Sequence, residues 1–311
     1  MNRIVPPFDQ AVPEDGYAWW YLDAVSDDGQ YGITLIAFIG SVFSPYYAWA
    51  RSRGRGDPMA HCAINVALYG PGGRWSMTER GHPAVELQRD WMRVGPSRLH
   101  WDGQALEISL REWAVPIPRR VTGKVRLVPE VIHADPIELH PNGRHHWTPI
   151  SPAARVEVAF EDPALRWSGS GYFDHNAGSE PLERGFDNWF WARATTRQGP
   201  VVLYETQLHD NARHSLTLHF HPDGSLRELP TPRPAELPPS RWGITRPTRS
   251  DDGRARLEAT WEDTPFYARS LVTSRLLGET VKAVHESLSL KRFSKPWVQL
   301  MLPFRMPRRS S

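Results

Sequence analysis

Cysteine is almost missing from this sequence. Cys62 is the single one in 311 residues, so no internal disulfide forms and a reducing compartment is expected. Long apolar runs are missing too: the longest, residues 33–43, falls well short of the ~20 residues a helix needs to cross a bilayer. The N-terminus lacks a basic segment followed by an apolar core, so no secretory signal is read and the cytoplasm is the expected location. Charge of one sign is not in excess, because 37 Lys and Arg stand against 35 Asp and Glu. With no Lys/Arg-rich tract outside the short tail at 306–311, nucleic acid is not an expected partner. Walker loop, GxGxxG, HExxH and paired CxxC are all absent, so no cofactor and no metal are expected. The GSVFS segment around Ser41 and Ser44 lacks the GxSxG nucleophile elbow and does not support a serine hydrolase. His219 and His221 share a strand face without an identifiable third ligand and read as ordinary sheet histidines.

What the chain does have is 14 Trp among 29 Pro and 23 Gly, a mixture that suits short aromatic-rich strands divided by turns. The class predicted is all-β, and the length suggests two domains. Residues 1–16 carry Pro6, Pro7 and Pro13 without a period and read as a leading arm. Strands are predicted at 17–25 and 31–40, joined by a turn at Ser26-Asp27-Asp28-Gly29. Residues 41–49 read as a loop or one short helix that either caps the core, the reading its local pattern favours, or forms an apolar entrance or membrane-touching flap. Further strands are predicted at 61–69, 92–101, 105–111, 121–128, 154–160 and 165–173, with turns at 70–73 and Asp162-Pro163. Strands at 189–196, 201–209, 214–221, 256–261, 266–274 and 280–290 build a second half. Seven prolines between 222 and 247 make that stretch a surface connection. No long helix is visible, so the parallel sheets that need crossover helices are excluded. The expected architecture is two consecutive antiparallel barrels or strongly curved sheets: an N-terminal domain over 17–183, a C-terminal one over 184–305 and a basic tail at 306–311.

Two stretches concentrate chemistry. Residues 171–182, GYFDHNAGSEPL, crowd Tyr172, Asp174, His175, Asn176 and Glu180 together. If the start is extended, Tyr172 and Asp174 share a face, and a phenol beside a carboxyl is a proton-transfer pair. The alternative is a turn in which Asp174 and Asn176 serve local amides and Gly178 makes the corner. The second stretch is Arg144-His145-His146-Trp147 after the Asn142-Gly143 turn, where extension puts His145 and Trp147 on one face. That reads either as an imidazole beside a cation-stabilising indole or as a packed Trp with a solvent-facing His.

Several longer segments resemble one family. AFIGSVFSPYYAWARSRG at 37–54, DPMAHCAINVALYGPGG at 57–73, MTERG at 77–81, GRHHWTPISP at 143–152, GYFDHNAGSEPLE at 171–183, TPFYARSLVTSRLLGE and VHESLSLKRF together look like carotenoid 1,2-hydratase, also called hydroxyneurosporene synthase. The family is similar in broad architecture to the lipocalin-like two-barrel proteins that include pericyclases. The resemblance implies cofactor-independent addition of water to the terminal 1,2 double bond of lycopene- or neurosporene-type polyenes, giving a tertiary 1-hydroxy group. It puts the active residues at His145, Trp147, Tyr172 and Asp174. Asp174, kept protonated by desolvation, would protonate C2, Trp147 and Tyr172 would stabilise the cation, and His145 would position water and take its proton. Asn176 and Glu180 would support them. A membrane-resident substrate further implies peripheral contact with the inner or photosynthetic membrane, through an access flap at 42–49 with Phe43, Tyr46, Tyr47 and Trp49. A lipocalin-like pericyclase or isomerase, and a non-enzymatic carotenoid or lipid carrier, remain as alternatives.

Overall fold

The structure, a computed structural model, describes residues 6–309. The leading arm and the basic tail therefore fall partly outside the described residues. Within the arm, Phe8 is buried against the Trp20 ring, 5.2 Å between centroids. The chain divides into two compact units, the first running to Pro181 and resuming at Leu300, the second covering Leu182–Gln299.

The first unit contains β1 (Tyr17–Ser26), β2 (Gly32–Ile39), β3 (Cys62–Tyr69), β4 (Arg74–Arg80), β5 (Val85–Leu87), β6 (Trp91–Val94), β7 (Ser97–Trp101), β8 (Leu106–Trp113), β9 (Arg120–Val131), β10 (Ile137–Glu138), β11 (His145–Asp162) and β12 (Leu165–Gly178). Their order is β4-β3-β2-β1-β12-β11-β9-β8-β7-β6-β5, with β10 pairing β11. The sheet curls until its rims approach: Val115 N–H donates to Trp75 O across 2.9 Å, and Arg80 on β4 reaches Glu112 on β8. The result is a nearly closed barrel of eleven strands. Alternation explains what fills it. In β8, Leu106, Ile108 and Leu110 point inward and polar neighbours point out, as a half-buried strand requires. These side chains join Trp20, Leu22, Ile33, Leu35, Ile64, Val66, Val156 and Phe173 in one aliphatic and aromatic core. The predicted single strand at 92–101 is instead the hairpin β6–β7, because Gly95, at φ 61°, turns the chain.

Glu112 lies on the inward file of β8 and is 1% exposed. Burial pushes its carboxyl up, and Arg80 opposes this with an ion pair of 2.8 Å; Ser97 Oγ donates to the other oxygen at 2.7 Å. Removing one partner of such a pair leaves a buried charge alone. Arg80→Met is expected to destabilise the unit by about 3–5 kcal/mol in urea unfolding, with Arg80→Met/Glu112→Leu recovering most of the loss. A double variant as unstable as the single one would show that packing rather than charge is at stake.

The second unit contains β13 (Asn188–Thr196), β14 (Gly199–Gln207), β15 (Arg213–Phe220), β16 (Leu226–Glu228), β17 (Arg233–Leu237), β18 (Arg246–Ser250), β19 (Arg256–Asp263), β20 (Tyr267–Leu276) and β21 (Glu279–Ser289). Seven form an antiparallel sheet in the order β16-β15-β14-β13-β21-β20-β19, with a small core of Ala192, Val201, Leu203, Val272 and Val281. The proline-rich stretch is not merely a connection, since β17 and β18 pair within it and after it. A two-stranded ribbon is all edge, so Pro234 and Pro247 need not supply ladder donors. Arg246 fastens it, donating to Pro238 O at 2.7 Å and Ser270 Oγ at 3.0 Å. Leu300 onward groups with the first unit, where Arg308 pairs with the buried Glu79 and Arg309 N–H donates to Glu79 O.

Candidate active site

The site is built on the face of the first sheet opposite its aliphatic core. On β1 the period of two sends Trp20 and Leu22 to the core, and Tyr17, Trp19, Tyr21 and Asp23 to the other side. On β12 Phe173 and Ala177 go to the core, while Tyr172, Asp174 and Asn176 go with the second set. Antiparallel pairing sets Tyr21 opposite Asp174, and Asp23 opposite Tyr172. On the other flank β11 places Trp147 opposite Asn176, and His145 opposite Gly178. β1 and the end of β12 are therefore buried on both faces, unlike β8.

Residues 171–178 are strand, so the turn reading fails for Asp174 and Asn176. Gly178 makes no corner; a Cβ there would stand 2.5 Å from the Tyr17 ring, so the residue is small for lack of room.

The hydrogen bonds sort into two groups. In the first, Asp174 Oδ2 accepts from Tyr172 Oη at 2.8 Å and from Trp147 Nε1 at 2.8 Å, while Oδ1 accepts from Asn176 Nδ2 at 3.2 Å. Asp174 is 4% exposed, and Trp147 and Tyr172 are fully buried. In the second, Tyr17 Oη lies 2.9 Å from His145 Nδ1, and His145 Nε2 lies 3.3 Å from Glu180 Oε1. Glu180 also accepts from Arg144 at 2.9 Å and Asn142 at 3.0 Å. Facing a carboxylate, Nε2 of a neutral ring carries the proton, so Nδ1 accepts from Tyr17. Burial drives the His145 pKa down to about 4, against the raising influence of Glu180. For Glu180 burial acts upward, but Arg144, Asn142 and His145 outweigh it and hold the carboxyl below its ordinary value.

The structure thus brings together all four predicted active residues and the two supporting ones. It does not favour His145 as acceptor of the water proton: both nitrogens face partners, and the ring resists protonation at neutral pH. Tyr17, Trp19, Tyr21 and Asp23 were legible only as part of a first strand. The overlooked signal is that Tyr21-Leu22-Asp23 repeats the pattern of Tyr172-Phe173-Asp174.

The predicted access flap forms a short helix, Pro45–Arg51, capped by Ser44 Oγ accepting from Tyr47 N at 3.0 Å. Tyr47 departs from the exposed placement expected of it. Its ring is buried on His61, and its hydroxyl donates to Gly16 O at 2.7 Å, because a phenol inside the fold must find an acceptor. Trp49 is 58% exposed beneath the Arg53 guanidinium, and Tyr46 is partly buried. Phe43 contacts Phe38, which contacts Trp19, which stacks on Tyr17, making an aromatic file from the flap to the site. His219 Nε2 is satisfied by Gln198 O at 3.0 Å, and no group of His, Cys, Asp or Glu suited to a metal exists among the described residues. Cys62 is buried with its thiol pushed up to about 12, an inert packed side chain.

Comparison with known proteins identifies the family. The family model described as carotenoid hydratase CrtC matches residues 35–311. The acyclic carotenoid 1,2-hydratase of Thiocapsa roseopersicina is 54% identical over 306 residues, covering 97% of this chain and 76% of that protein. The protein of the same name from Rubrivivax gelatinosus is 50% identical over 310 residues, covering 98% and 76%. A crystal structure of an AttH protein from Nitrosomonas europaea matches with a TM-score of 0.57 at 13% identity, over 91% of this chain and 99% of that one, which bears on the fold alone. With a family model matched over most of its length and relatives half identical across nearly all of it, the chain belongs to the carotenoid hydratase family.

Proposed function

We propose that this chain adds water across the terminal 1,2 double bond of an acyclic carotenoid to give a tertiary 1-hydroxy product, with Asp174 as the acid. The observation that carries the assignment of Asp174 is its asymmetric set of donors. Tyr172 and Trp147 both donate to Oδ2, so a proton on this carboxyl belongs on Oδ1. Asn176 Oδ1 has no hydrogen-bond partner among the described residues, and a half-turn of its amide lets it accept that O–H in the resting acid. Transfer of the proton to C2 breaks the carboxyl O–H bond, uses the π pair to form C2–H and leaves a tertiary cation at C1. The amide then turns back to donate to the carboxylate, which is the arrangement seen. The faces of Trp147 and Tyr172 stabilise the cation by cation–π attraction, worth about 2 kcal/mol when desolvated. Tyr17, His145 and Glu180 position the surrounding side chains.

The test is anaerobic incubation with detergent-dispersed lycopene or neurosporene in oxygen-18 water, read by mass spectrometry. A 1-hydroxy product carrying the label is expected. An unlabelled isomer would favour a pericyclase or isomerase, and bound but unchanged polyene would favour a carrier.

The same substrate supports peripheral membrane contact. No helix among the described residues is long and apolar enough to cross a membrane. In the short helix Pro296–Met301 and the turn after it, Trp297, Leu300, Met301 and Phe304 are exposed, Phe304 at 80%. No acidic residue follows Glu286, whereas the exposed Lys291, Lys295, Arg305 and Arg309 do, so the segment suits an anionic lipid surface. Replacing Trp297, Leu300 and Phe304 by Ser is expected to lower co-sedimentation with anionic vesicles about tenfold, and replacing Phe43, Tyr46 and Trp49 to lower it less. Unchanged sedimentation of the first variant removes this surface from the proposal.

A further inference from the structure

The buried face of β1 repeats the acid cluster of β12 in the opposite direction. On β12, Tyr172 Oη donates to Asp174 Oδ2 two residues on, at 2.8 Å. On β1, Tyr21 Oη donates to Asp23 Oδ2 two residues on, at 2.9 Å. The register sets each phenol opposite the other strand's carboxyl, so a local two-fold relates the two Tyr-X-Asp dyads, and the Tyr21 and Tyr172 rings meet edge-on at 6.1 Å. Asp23 and Asp174 are thus diagonal neighbours on one face, a relation that separates side-chain origins by about 7–8 Å. At that spacing both carboxyls flank the same stretch of the face. Asp23 is fully buried, where an ionisable group is expensive to keep.

Hydration includes a second proton transfer. When water captures the C1 cation, the first product is a protonated alcohol, which expels water again unless its proton is removed. We propose that Asp23 is the general base of the reaction, accepting that proton from the captured water. This rests on the reading of Asp174 as the acid. In full, the Asp174 O–H bond breaks and C2–H forms, the water oxygen supplies the pair for C1–O, and a water proton passes to the Asp23 carboxylate. The tertiary alcohol leaves with Asp174 ionised and Asp23 protonated. Return of the proton through the Tyr21 and Tyr172 hydroxyls, each already bonded to its own carboxyl, restores both groups with no other reactant consumed. Two like dyads thus do opposite jobs, set by which one starts with the proton.

The test separates the two steps by running wild type and variants in deuterium oxide enriched in oxygen-18. Wild type is expected to give alcohol with deuterium at C2 and the label at C1. Asp23→Asn still forms the cation but does not trap it. Labelled alcohol should fall about 100-fold or more, the usual range for a lost general base, while the recovered polyene gains deuterium as the cation reverts. Tyr21→Phe, which deletes only a hydroxyl, should lose about tenfold in alcohol with deuterium uptake retained, and it carries the test if Asp23→Asn does not fold. Asp174→Asn should lose both readouts. Asp23→Asn hydrating within about threefold of wild type, or losing deuterium uptake together with alcohol, overturns the assignment of the base. Wild type giving no labelled alcohol overturns the hydratase reading itself.

Discussion

Asp174→Asn is expected to lower carotenoid hydration by about 1,000-fold or more while leaving polyene binding and the folded state in place. The carboxyl is a stronger acid than the Tyr172 phenol and Trp147 indole bonded to it, and an amide is too weakly acidic to protonate carbon. The replacement is nearly isosteric, and its carbonyl oxygen still accepts from Tyr172 and Trp147, so the buried N–H and O–H donors are not orphaned. Turnover and polyene binding measured on the same preparation decide the point. Loss of both together would mark Asp174 as structural, and retention of more than about a tenth of the activity would move the acid elsewhere. Tyr172→Phe and Trp147→Phe each remove one donor from Oδ2 but keep an aromatic face, so they should fall between wild type and Asp174→Asn.

The second large effect is loss of stability in mild acid. Burial lowers the pKa of His145 to about 4 and that of His175 to about 3. His175 packs tilted against Trp20 with 5.0 Å between ring centres, and its Nε2 has no hydrogen-bond partner among the described residues, so a proton there would be a buried charge without relief. Unfolded, each ring takes a proton near pH 6.5; folded, each stays neutral until about 4 or 3. The unfolded state therefore binds more protons below pH 6.5, and stability present above that pH is lost as the pH falls toward 4. With His285, which burial likewise lowers to about 4, three such groups give a slope of about 4 kcal/mol per pH unit. Urea midpoints followed from pH 7 to 4 should drop accordingly, and His175→Gln should remove about a third of the slope. Exposed pairs such as Asp27 with Arg155 add little to it. A flat profile across this range would mean that these rings already carry protons in the fold.

The parts of the site that could be read early are those governed by local geometry. Tyr172 and Asp174 share a face because strands have a period of two, and His145 and Trp147 do so for the same reason after the Asn142-Gly143 turn, where Gly143 takes φ 67°. The family-bearing segments around them implied the chemistry. Tyr47 was misplaced because an aromatic helix reads the same whether a ring faces lipid or protein; the acceptor at Gly16 decides, and it lies 31 positions away. The Arg80 and Glu112 pair was invisible for the same reason, as each looks like any polar residue on an alternating strand.

The sequence by itself determined the all-β class, most strand positions and the family, and it pointed to His145, Trp147, Tyr172 and Asp174 as the candidates, because period, turn chemistry and motif are properties of neighbours along the chain. Only the tertiary structure decided that β1 pairs with β12, a register between segments about 150 residues apart that no local pattern encodes. That register turns one carboxyl into two by bringing Tyr21 and Asp23 to Asp174. It also determines which face of the sheet carries the aliphatic core and which carries the acid. A slip of one residue would exchange them, so the chemistry depends on a pairing that folding alone selects.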